Sequence, residues 1–438
     1  MLIVNVDGGT SIRLDHTRIL AAGALSPLPG EEVLDAGGGA VIPGLHDHHV
    51  HLRAMAAALA SVDVGPPLSA DSFARRLRDA HGDGWIRAVG YHESVAGSLD
   101  RLRLDAIVLD RPVRVQHRSG TLWVLNTAAL DRVGARNTHG TGRLWRRDRW
   151  LADRIPPAPL DFSEVGRRAA AAGIVAFTDA DPSRTPADVD RLIAADLPQR
   201  LTLMSSPYPQ VGVPRKLILD DATLPPLDDL TTWFRAAHDA GDPVAVHCVT
   251  RLQIVVTTAA LTDADDGWRR GDRIEHGGVI PPELFPDLRR LGVTVVTQPN
   301  FVAERGDAWL TDVDPDDRPH LYPCASLRAA GIPVAASTDA PFGAPDPWAA
   351  MRAAVHRRTA SGQVVGPDER VDAATALSLF LGEADGPGTP RRVVPGQPAD
   401  LCILDRPLAD VYAALDADDP GLAPVTTTIV GGEVVFSR

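Results

Sequence analysis

A short histidine-rich segment carries residue types that bind metal ions. It reads VIPGLHDHHVHL over Val41–Leu52, an apolar run that ends in His49 and His51 with one valine between them. Successive side chains of a β-strand point to opposite faces, so these two histidines share one face. Two imidazoles at the carboxyl end of a buried strand are a start on a divalent-metal site. The alternative is a pair of ordinary histidines in a local run that also holds His46 and His48.

Four more residues of ligand or catalytic type lie at the ends of later apolar runs. Lys216 begins one run in RKLILDD, and His247, His276 and Asp339 end three others in PVAVHCVT, RIEHGG and VAASTDAP. Each also has a plainer interpretation: a solvated strand start for the lysine, a core position for His247, a surface-rim pair of Glu275 with His276, and a turn or helix cap for Asp339. Buried Lys and Asp are costly unless they are paired or metal-bound. Their joint position at strand ends therefore favours a metal centre.

The spacing of the apolar runs predicts the elements that position these residues. Strand-like runs alternate with Ala/Leu-rich helical stretches, as in βαβ units with a parallel sheet, and in such barrels the strand ends supply the catalytic groups. The eight predicted strands, the number that closes a (β/α)8 TIM-type barrel, are Val41–His51, Ile174–Asp179, Leu201–Ser205, Lys216–Leu219, Val244–His247, Arg273–His276, Val293–Gln298 and Pro333–Thr338. Predicted helices follow at Ala54–Val62, Pro186–Ala195, Arg251–Leu261, Pro282–Leu291 and Pro347–Ser361. The barrel is predicted over residues 41–389.

Three segments lie outside the alternating strands and helices that are predicted for the barrel. Two strand-like runs, Ile86–Tyr91 and Val113–His117, fall between the first and second barrel strands and predict an inserted, cap-like subdomain over residues 64–159. Residues 1–40 and 390–438 hold short β runs punctuated by Gly and Pro. They predict one small β-sandwich domain formed by both chain ends. The predicted fold class is therefore α/β, a barrel with a small β domain and an insertion.

Composition and charge exclude several classes of partner. The 438 residues carry a net charge of −13, and no basic stripe is present to bind a nucleic-acid backbone. No run of ~18 apolar residues predicts a membrane span, and the start of the chain lacks the pattern of a signal peptide. Three scattered cysteines give no disulfide framework. We expect a cytoplasmic protein with a small-molecule substrate, and the alternatives of a monomer and a homodimer stay open.

Together these motifs resemble the amidohydrolase superfamily of metal-dependent (β/α)8 hydrolases. Within it, the chain resembles the branch of N-substituted formamide deformylases, amidohydrolase family 3. The resemblance covers nearly the whole chain, and its HxH, RIEH and TDAP elements together are specific for the superfamily but less so for any one activity. The motifs that carry it are PGLHDHHVHL at Pro43–Leu52, KLILDD at Lys216–Asp221, VAVH at Val244–His247, RIEHG at Arg273–Gly277, QPN at Gln298–Asn300, STDAP at Ser337–Pro341 and PGQPADLCIL at Pro395–Leu404.

The resemblance implies a centre of two divalent metal ions. The first histidine pair would bind the more buried α metal together with Asp339. His247 and His276 would bind the β metal, and Lys216, carboxylated by CO2, would bridge both ions as a carbamate. A carbamate offers two oxygens and a negative charge, whereas the lysine cation would repel the ions. Zinc is favoured for this N/O ligand set, and Mn, Fe, Co and Ni stay open as alternatives.

The same resemblance implies hydrolysis of a C–N bond in an amide, formamide or cyclic amide. A hydroxide bridging the metals would attack the substrate carbon, and Asp339 would act as general base and pass the proton to the leaving amine. Lys216 and His276 complete the predicted catalytic set. Candidate substrate contacts rest on position alone, with packing or surface placement as the alternative: Tyr91, His117, Trp123, Gln298 and Asn300.

Other functions stay open on the sequence. A deaminase with one metal would do without the bridging lysine, so Lys216 speaks against it. An esterase or lactonase could use the same hydroxide, and a non-catalytic barrel scaffold is the alternative of another class, although all six ligand positions are filled. His46 and His48 depart from the family pattern, and so does Cys248, which begins a stretch where many members carry Gly-Asp. These departures leave the substrate and the roles of both histidines open.

Overall fold

The computed structural model describes residues 1–155, 160–182, 184–208, 212–265 and 271–438. The chain divides into two compact units. Unit 1 combines Met1–His51 with Ser163–Arg438, and unit 2 is Leu52–Phe162. The first segment of unit 1 therefore ends at the second histidine of the HxH motif.

Eight parallel strands form the centre of unit 1, numbered in chain order as β1 Leu45–Val50, β2 Ile174–Asp179, β3 Arg200–Leu203, β4 Arg215–Ile218, β5 Val244–Cys248, β6 Arg273–His276, β7 Thr294–Thr297 and β8 Val334–Ala336. Strands β3, β2 and β1 pair in one sheet, and β4 to β8 pair in order in a second sheet. The Asp339 N–H, just after β8, donates to the His49 carbonyl at 3.0 Å. Between the two sheets, the Ser205 N–H donates to the Pro214 carbonyl at 3.1 Å.

Each of the eight predicted runs overlaps one of these strands. All residues of β1, β2 and β6 are buried, including their polar ones. A parallel sheet covered on both faces selects such continuous apolar runs, because neither side of the strand meets water. The carboxyl ends of parallel strands lie at one edge, and this is where the chain places its histidines.

One predicted strand is divided in two. Val41–Pro43 pairs antiparallel with Leu401–Leu404, and only Leu45–Val50 pairs with β2. Gly44 separates the two pieces, and a Cβ at this position would lie 2.1 Å from a methyl carbon of Val175. The prediction of one strand over Val41–His51 was wrong because an apolar run does not reveal that its two halves belong to different sheets.

The helices of unit 1 follow the strands, with bounds close to those predicted. The 310 turn Pro282–Leu284 precedes the helix at 285–291. The helix predicted to reach Ser361 ends at His356. The next residue, Arg357, adopts φ 51° and donates to three backbone carbonyls. The α-helices are Phe162–Ala171, Pro186–Ala194, Leu227–Asp239, Arg251–Ala264, Phe285–Leu291, Asn300–Asp312, Ala325–Ala329, Pro347–His356, Ala373–Ser378 and Leu408–Asp416. Further 310 turns lie at Asp221–Thr223, Arg318–His320 and Pro367–Glu369.

Both chain ends contribute four-stranded sheets that share a core. The first sheet has the order Arg18–Gly23, Thr10–Asp15, Leu2–Val6, Val33–Asp35, and the second has the order Glu433–Ser437, Val425–Val430, Leu401–Leu404, Val41–Pro43. Buried residues of both sheets, among them Ile3, Ile12, Leu401 and Ile429, form one apolar cluster. Val41–Pro43 therefore extends the small β region beyond residues 1–40 and 390–438.

Unit 2 is built on its own five-stranded sheet. The strand order is Arg143–Trp145, Leu122–Leu125, Val113–His117, Ile86–Tyr91, Val62–Asp63, and the helices are Leu52–Leu59, Ala70–Arg78, Glu93–Ala96, Arg101–Asp105, Thr127–Arg132 and Asp148–Ala152. Its core includes Phe73, Tyr91 and Val115. The unit begins at Leu52, ahead of the predicted start of the insertion, and the last four residues of the predicted insertion, 156–159, lie outside the described residues.

The described helices are either too short or too polar to cross a bilayer.

Candidate metal centre

The first strand brings two histidines to one aspartate. On β1 and its extension, His49 and His51 alternate with Val50 and share a strand face. The Nε2 atoms of His49 and His51 lie 3.6 Å and 3.3 Å from Oδ1 of Asp339. One ligand atom from each of the three residues falls within 4.8 Å of the others. Two strand ends that are almost three hundred residues apart in sequence thus form the first half of the predicted ligand set.

Strands β5 and β6 bring the other two histidines to the same place. The His247 and His276 rings lie 4.4 Å apart between centroids, and the His276 and His49 rings lie 4.8 Å apart. His276 therefore lies next to both His49 and His247. Both are deeply enclosed: burial, followed by the charge of Lys216, lowers the pKa of His247 to about 3. The alternative of His247 as an ordinary core residue does not account for this cluster of four imidazoles.

Lys216 completes the set from β4. Its side chain is buried, and its Nζ has no hydrogen-bond partner among the described residues. Burial lowers the pKa of Lys216 to about 8, against the opposing charges of Glu275 and Asp339. The interpretation as a solvated strand start was therefore wrong. A further signal lies in the composition, since Lys216 is the only lysine of the chain while 43 of the 44 basic residues are arginine.

Side-chain acceptors orient three of the four imidazoles. The Nδ1–H of His49 donates to Glu275, that of His51 to Oδ1 of Asp181 at 2.8 Å, and that of His276 to Oε1 of Gln298 at 2.7 Å. In a neutral imidazole this leaves the Nε2 lone pair for a metal ion. The histidines are thus held in the tautomer that metal coordination requires.

Glu275 is itself fixed in place. It is fully buried, and Arg273 donates from Nε to its Oε1 at 2.7 Å while also donating to the His48 carbonyl at 2.7 Å. The interpretation of Glu275 and His276 as a surface-rim pair was therefore wrong. Residue types and spacing missed Glu275 and Asp181 as orienting residues, although both stand next to a strand end in DAD and RIEH.

The hydrogen bond between His51 and Asp181 helps to explain the protonation state of His51. Burial by itself lowers the pKa of His51, but hydrogen bonds and charges from Asp181 and Asp339 outweigh burial and raise the pKa to about 10. Without a metal ion, the imidazole serves as the cation for two carboxylates. A divalent ion would take over that role and displace the proton.

Asp339 is placed by a strained backbone. Its φ is 53°, in the left-handed region that non-glycine residues rarely adopt, and such outliers concentrate at functional sites. Its buried Oδ1 lies 3.3 Å from Nε2 of His51 and 3.6 Å from Nε2 of His49. Asp339 does begin a turn, because the Phe342 N–H donates to its carbonyl at 2.8 Å, but the cap of the next helix is Asp346. The carboxylate is therefore left for the histidines.

The predicted substrate contacts of unit 1 have partners inside the protein. Gln298 accepts from His276 and donates to Oγ of Ser337 at 2.8 Å. The Nδ2 of Asn300 donates to the Thr338 carbonyl at 3.0 Å, and its Oδ1 is buried without a hydrogen-bond partner. Gln298 therefore orients a histidine, and a substrate contact for either residue stays a prediction.

The candidates in unit 2 are also engaged locally. The Tyr91 hydroxyl donates to the Gly97 carbonyl at 2.5 Å, and Nε1 of Trp123 donates to Oδ1 of Asp148 at 2.7 Å. His117 pairs with Glu93, with Nε2 and Oε2 3.0 Å apart. Tyr91 and Trp123 are core residues of unit 2. Their role as substrate contacts stays a prediction.

His46 and His48 occupy the other face of β1. Both are buried, and their rings stack with centroids 4.1 Å apart. The Nε2 of His46 hydrogen-bonds with Oγ1 of Thr178 on β2 at 2.9 Å. Burial lowers the pKa of His46 to about 3, so this imidazole is neutral at physiological pH. Both histidines therefore lie at the back of the strand, away from the face that holds His49 and His51.

The residues at the strand ends fit divalent metal ions on three observations. Three imidazoles have their Nδ1–H engaged, Asp339 holds a buried carboxylate oxygen close to two Nε2 atoms, and the buried Lys216 amine has no hydrogen-bond partner among the described residues. Unsatisfied buried polar atoms are rare and call for a missing partner. Nitrogen and oxygen donors in this mixture suit Zn and its neighbours in the first transition row.

Comparison with known proteins gives a consistent result. A sequence profile described as "Amidohydrolase family" matches residues 32–155 and 165–436. N-substituted formamide deformylase of Arthrobacter pascens is 26% identical, over 93% of this chain and 90% of the relative. YtcJ of Bacillus subtilis (strain 168), which carries the name of an amidohydrolase, is 23% identical over 94% of this chain and 91% of the relative. A metal-dependent hydrolase from Pyrococcus horikoshii OT3 shares the fold at a TM-score of 0.74 and 19% identity, over 92% of this chain and 97% of that structure.

Proposed function

This chain belongs to the amidohydrolase family, and from that premise we propose that it hydrolyses a C–N bond in an amide, formamide or cyclic amide with the help of two divalent metal ions. The family profile spans most of the chain, and one relative is named as a deformylase of N-substituted formamides. The site that supports the proposal lies entirely in unit 1. The substrate is a small molecule of this class.

The proposal includes a closed (β/α)8 barrel. In its support, β8 is followed by backbone hydrogen bonds to β1, and residues around β3 and β4 bond across the gap between the two sheets. Closure would bring all eight strand ends to one rim, where barrels of this kind hold their active sites. The two terminal sheets, with their shared apolar cluster, would form the small β-sandwich.

Six residues would hold the ions. The first would be bound by the β1 histidine pair and Asp339, the second by His247 and His276, with carboxylated Lys216 shared between them. When bound, divalent ions lower the pKa of water toward neutrality and polarise the bond under attack. Zinc suits this donor set, and Mn, Fe, Co and Ni are alternatives for the metal analysis below.

The proton is handled by Asp339. Its carboxylate accepts a proton from the attacking water as the C–O bond forms, and it then delivers this proton to the departing nitrogen as the C–N bond breaks. Glu275, Asp181 and Gln298 hold three imidazoles in place throughout. Ligand side chains with fixed rotamers keep the geometry from relaxing when charge develops.

A single observation carries the proposal most strongly: the lone lysine of the chain is buried without a hydrogen-bond partner among the described residues, and its charge acts on His49, His247, His276 and Asp339. As a cation it would repel two metal ions, whereas burial lowers the pKa of its amine and makes it available to react with CO2. The same observation disfavours the deaminase with one metal, which has no use for a bridging anion. A scaffold without catalysis does not require this costly arrangement.

Because the chain has a single lysine, a side-chain carbamate signal can be assigned to one residue. We would load the protein with zinc under 13C-labelled bicarbonate and record the carbamate carbon by NMR, with metal content by elemental mass spectrometry. The expected result is one side-chain carbamate signal and at least two ions per chain. Lys216→Arg keeps the charge but cannot form a carbamate, so it should lose the signal, at least one ion and hydrolysis of N-formyl and N-acyl amides.

Other outcomes would redirect the assignment. One ion per chain with no carbamate signal would support a deaminase or hydrolase with one metal. Hydrolysis of esters or lactones but not of amides, in a protein that holds two ions, would leave the centre intact and replace the substrate class. A folded protein that binds no ions would contradict the proposed function altogether.

A further inference from the structure

A second cluster of ligand-type residues lies in unit 2. His92 follows the strand Ile86–Tyr91, and His117 ends the neighbouring parallel strand, in a register that pairs Tyr91 with His117. The two imidazoles therefore meet at the same edge of the sheet, with Glu93 directly after His92. One ligand atom from each of these three residues lies within 4.8 Å of the others. None of the three belongs to the centre in unit 1.

The distances suit a bound cation. Nε2 of His117 and Oε2 of Glu93 are 3.0 Å apart, and the two imidazole centroids are 5.8 Å apart. Ligands that bind zinc at ~2.0–2.2 Å in a tetrahedron lie slightly more than 3 Å from one another. A carboxylate and two neutral imidazoles also carry one negative charge, which a divalent cation complements.

Both histidines are supported in the same way, by a serine two residues further along the chain. Nδ1 of His92 lies 2.9 Å from Oγ of Ser94, and Nδ1 of His117 lies 2.8 Å from Oγ of Ser119. A hydroxyl that accepts from Nδ1–H directs the Nε2 lone pair outward, which is the usual support of a metal-binding histidine. Without an ion, the backbone N–H groups of the same serines donate to Nδ1 at 3.2 Å and 3.1 Å, so Nδ1 is unprotonated and the support by the hydroxyls applies to the ion-bound form.

From this arrangement we infer that His92, Glu93 and His117 bind a divalent transition-metal ion, most readily zinc, in unit 2. Two histidines and one glutamate are a ligand set of zinc sites that keep a fourth position for water or an added ligand. The ion would join the ends of two adjacent strands and fix the loop that begins at His92. Binding would select the Nδ1–H tautomer at both histidines. This inference goes beyond the proposed hydrolysis and assigns His117 to an ion instead of a substrate.

The test counts ions in the full-length protein. Zinc per chain is measured by elemental mass spectrometry after equilibration at buffered free zinc, in the wild type and in the double variant His92→Ala/His117→Ala. His81→Ala, an exposed histidine of the same unit, is the matched control. We expect the double variant to hold one ion fewer than the wild type and the control to hold the same number. Equal numbers in all three proteins would overturn the inference.

Two further measurements keep the test independent of folding and activity. Circular dichroism tests whether the double variant folds. If it does not fold, the single variant His117→Gln is used in its place. Imidazole 15N shifts of the wild type should show His92 and His117 changing to the Nδ1–H tautomer when zinc is added. Unchanged shifts at both residues, or a loss of substrate affinity in His117→Gln with full zinc content, would assign the cluster to another role and overturn the inference.

Discussion

The two histidine clusters of this protein differ in how much of their geometry is held by the protein itself. In unit 1 most of the candidate ligands are buried, and Glu275, Asp181 and Gln298 hold three imidazoles through Nδ1. In unit 2 the corresponding supports are serine hydroxyls, and the Glu93 side chain is 43% exposed. Charged supports in a dry interior bind more strongly than neutral ones near water. We therefore expect the proposed centre in unit 1 to hold its imidazoles more firmly than the proposed ion site in unit 2.

The largest expected effect tests the chemical role of the buried cluster. Asp339→Asn removes the base but keeps the size of the side chain, so kcat/KM for amide hydrolysis should fall by ~10²–10⁴. Asp346→Asn makes the same substitution a few residues later, at a helix cap that asparagine also satisfies, and it should keep full activity. Steady-state kinetics on zinc-loaded protein measures both. Activity retained in Asp339→Asn would mean that the preorganised cluster does not supply the base.

The supporting residues give an intermediate effect and compare the clusters directly. Glu275→Gln replaces a buried carboxylate acceptor of His49 with a neutral amide, and zinc affinity at the centre should fall by ~10–100-fold. Ser119→Ala should weaken the unit 2 ion by less, because a neutral hydroxyl near solvent is lost. Competition with a fluorescent chelator measures both affinities, with the exposed Glu283→Gln as control. A larger loss in Ser119→Ala would reverse the comparison.

The smallest effect is a pH dependence of the metal-free protein. The folded state holds His247 neutral, with a pKa of about 3, whereas the unfolded chain protonates it near the ordinary 6.5. Below pH 6.5 the unfolded state therefore binds more protons, and stability falls as the pH is lowered toward 3. His247→Asn should reduce the slope of unfolding free energy against pH by ~1.4 kcal/mol per pH unit. Thermal midpoints from pH 7 downward test this, and the exposed His16→Asn should follow the wild type.

Much of the fold and the ligand set could be predicted because both depend on local pattern. Buried parallel strands need continuous apolar runs, and all eight such runs hold a strand. Residues at the ends of those runs meet at one rim, so His247 and Asp339 could be grouped without knowledge of any contact. The composition holds a further signal for the predicted ligand set, because the one lysine of the chain is the predicted ligand Lys216.

The residues that orient the histidines could not be predicted in the same way. Glu275 contacts a histidine that lies 226 residues earlier in the chain, and Asp181 contacts one 130 residues earlier. Neither pairing leaves a periodic trace, since a carboxylate near a strand end is more often a turn or surface residue. The pairing of His92 with His117 depends likewise on the register of two strands of unit 2.

The sequence by itself determined the order of the elements, the family and the residue types at the strand ends, because hydrophobic periodicity and short motifs are local properties of a chain. The tertiary structure alone decided that Val41–Pro43 belongs to the terminal sheet, that Lys216 is buried without a hydrogen-bond partner, and that an acceptor stands behind each of three histidines. These features depend on burial and on contacts between distant segments. Burial changes the protonation of a side chain by free energies that its neighbours in sequence do not reveal.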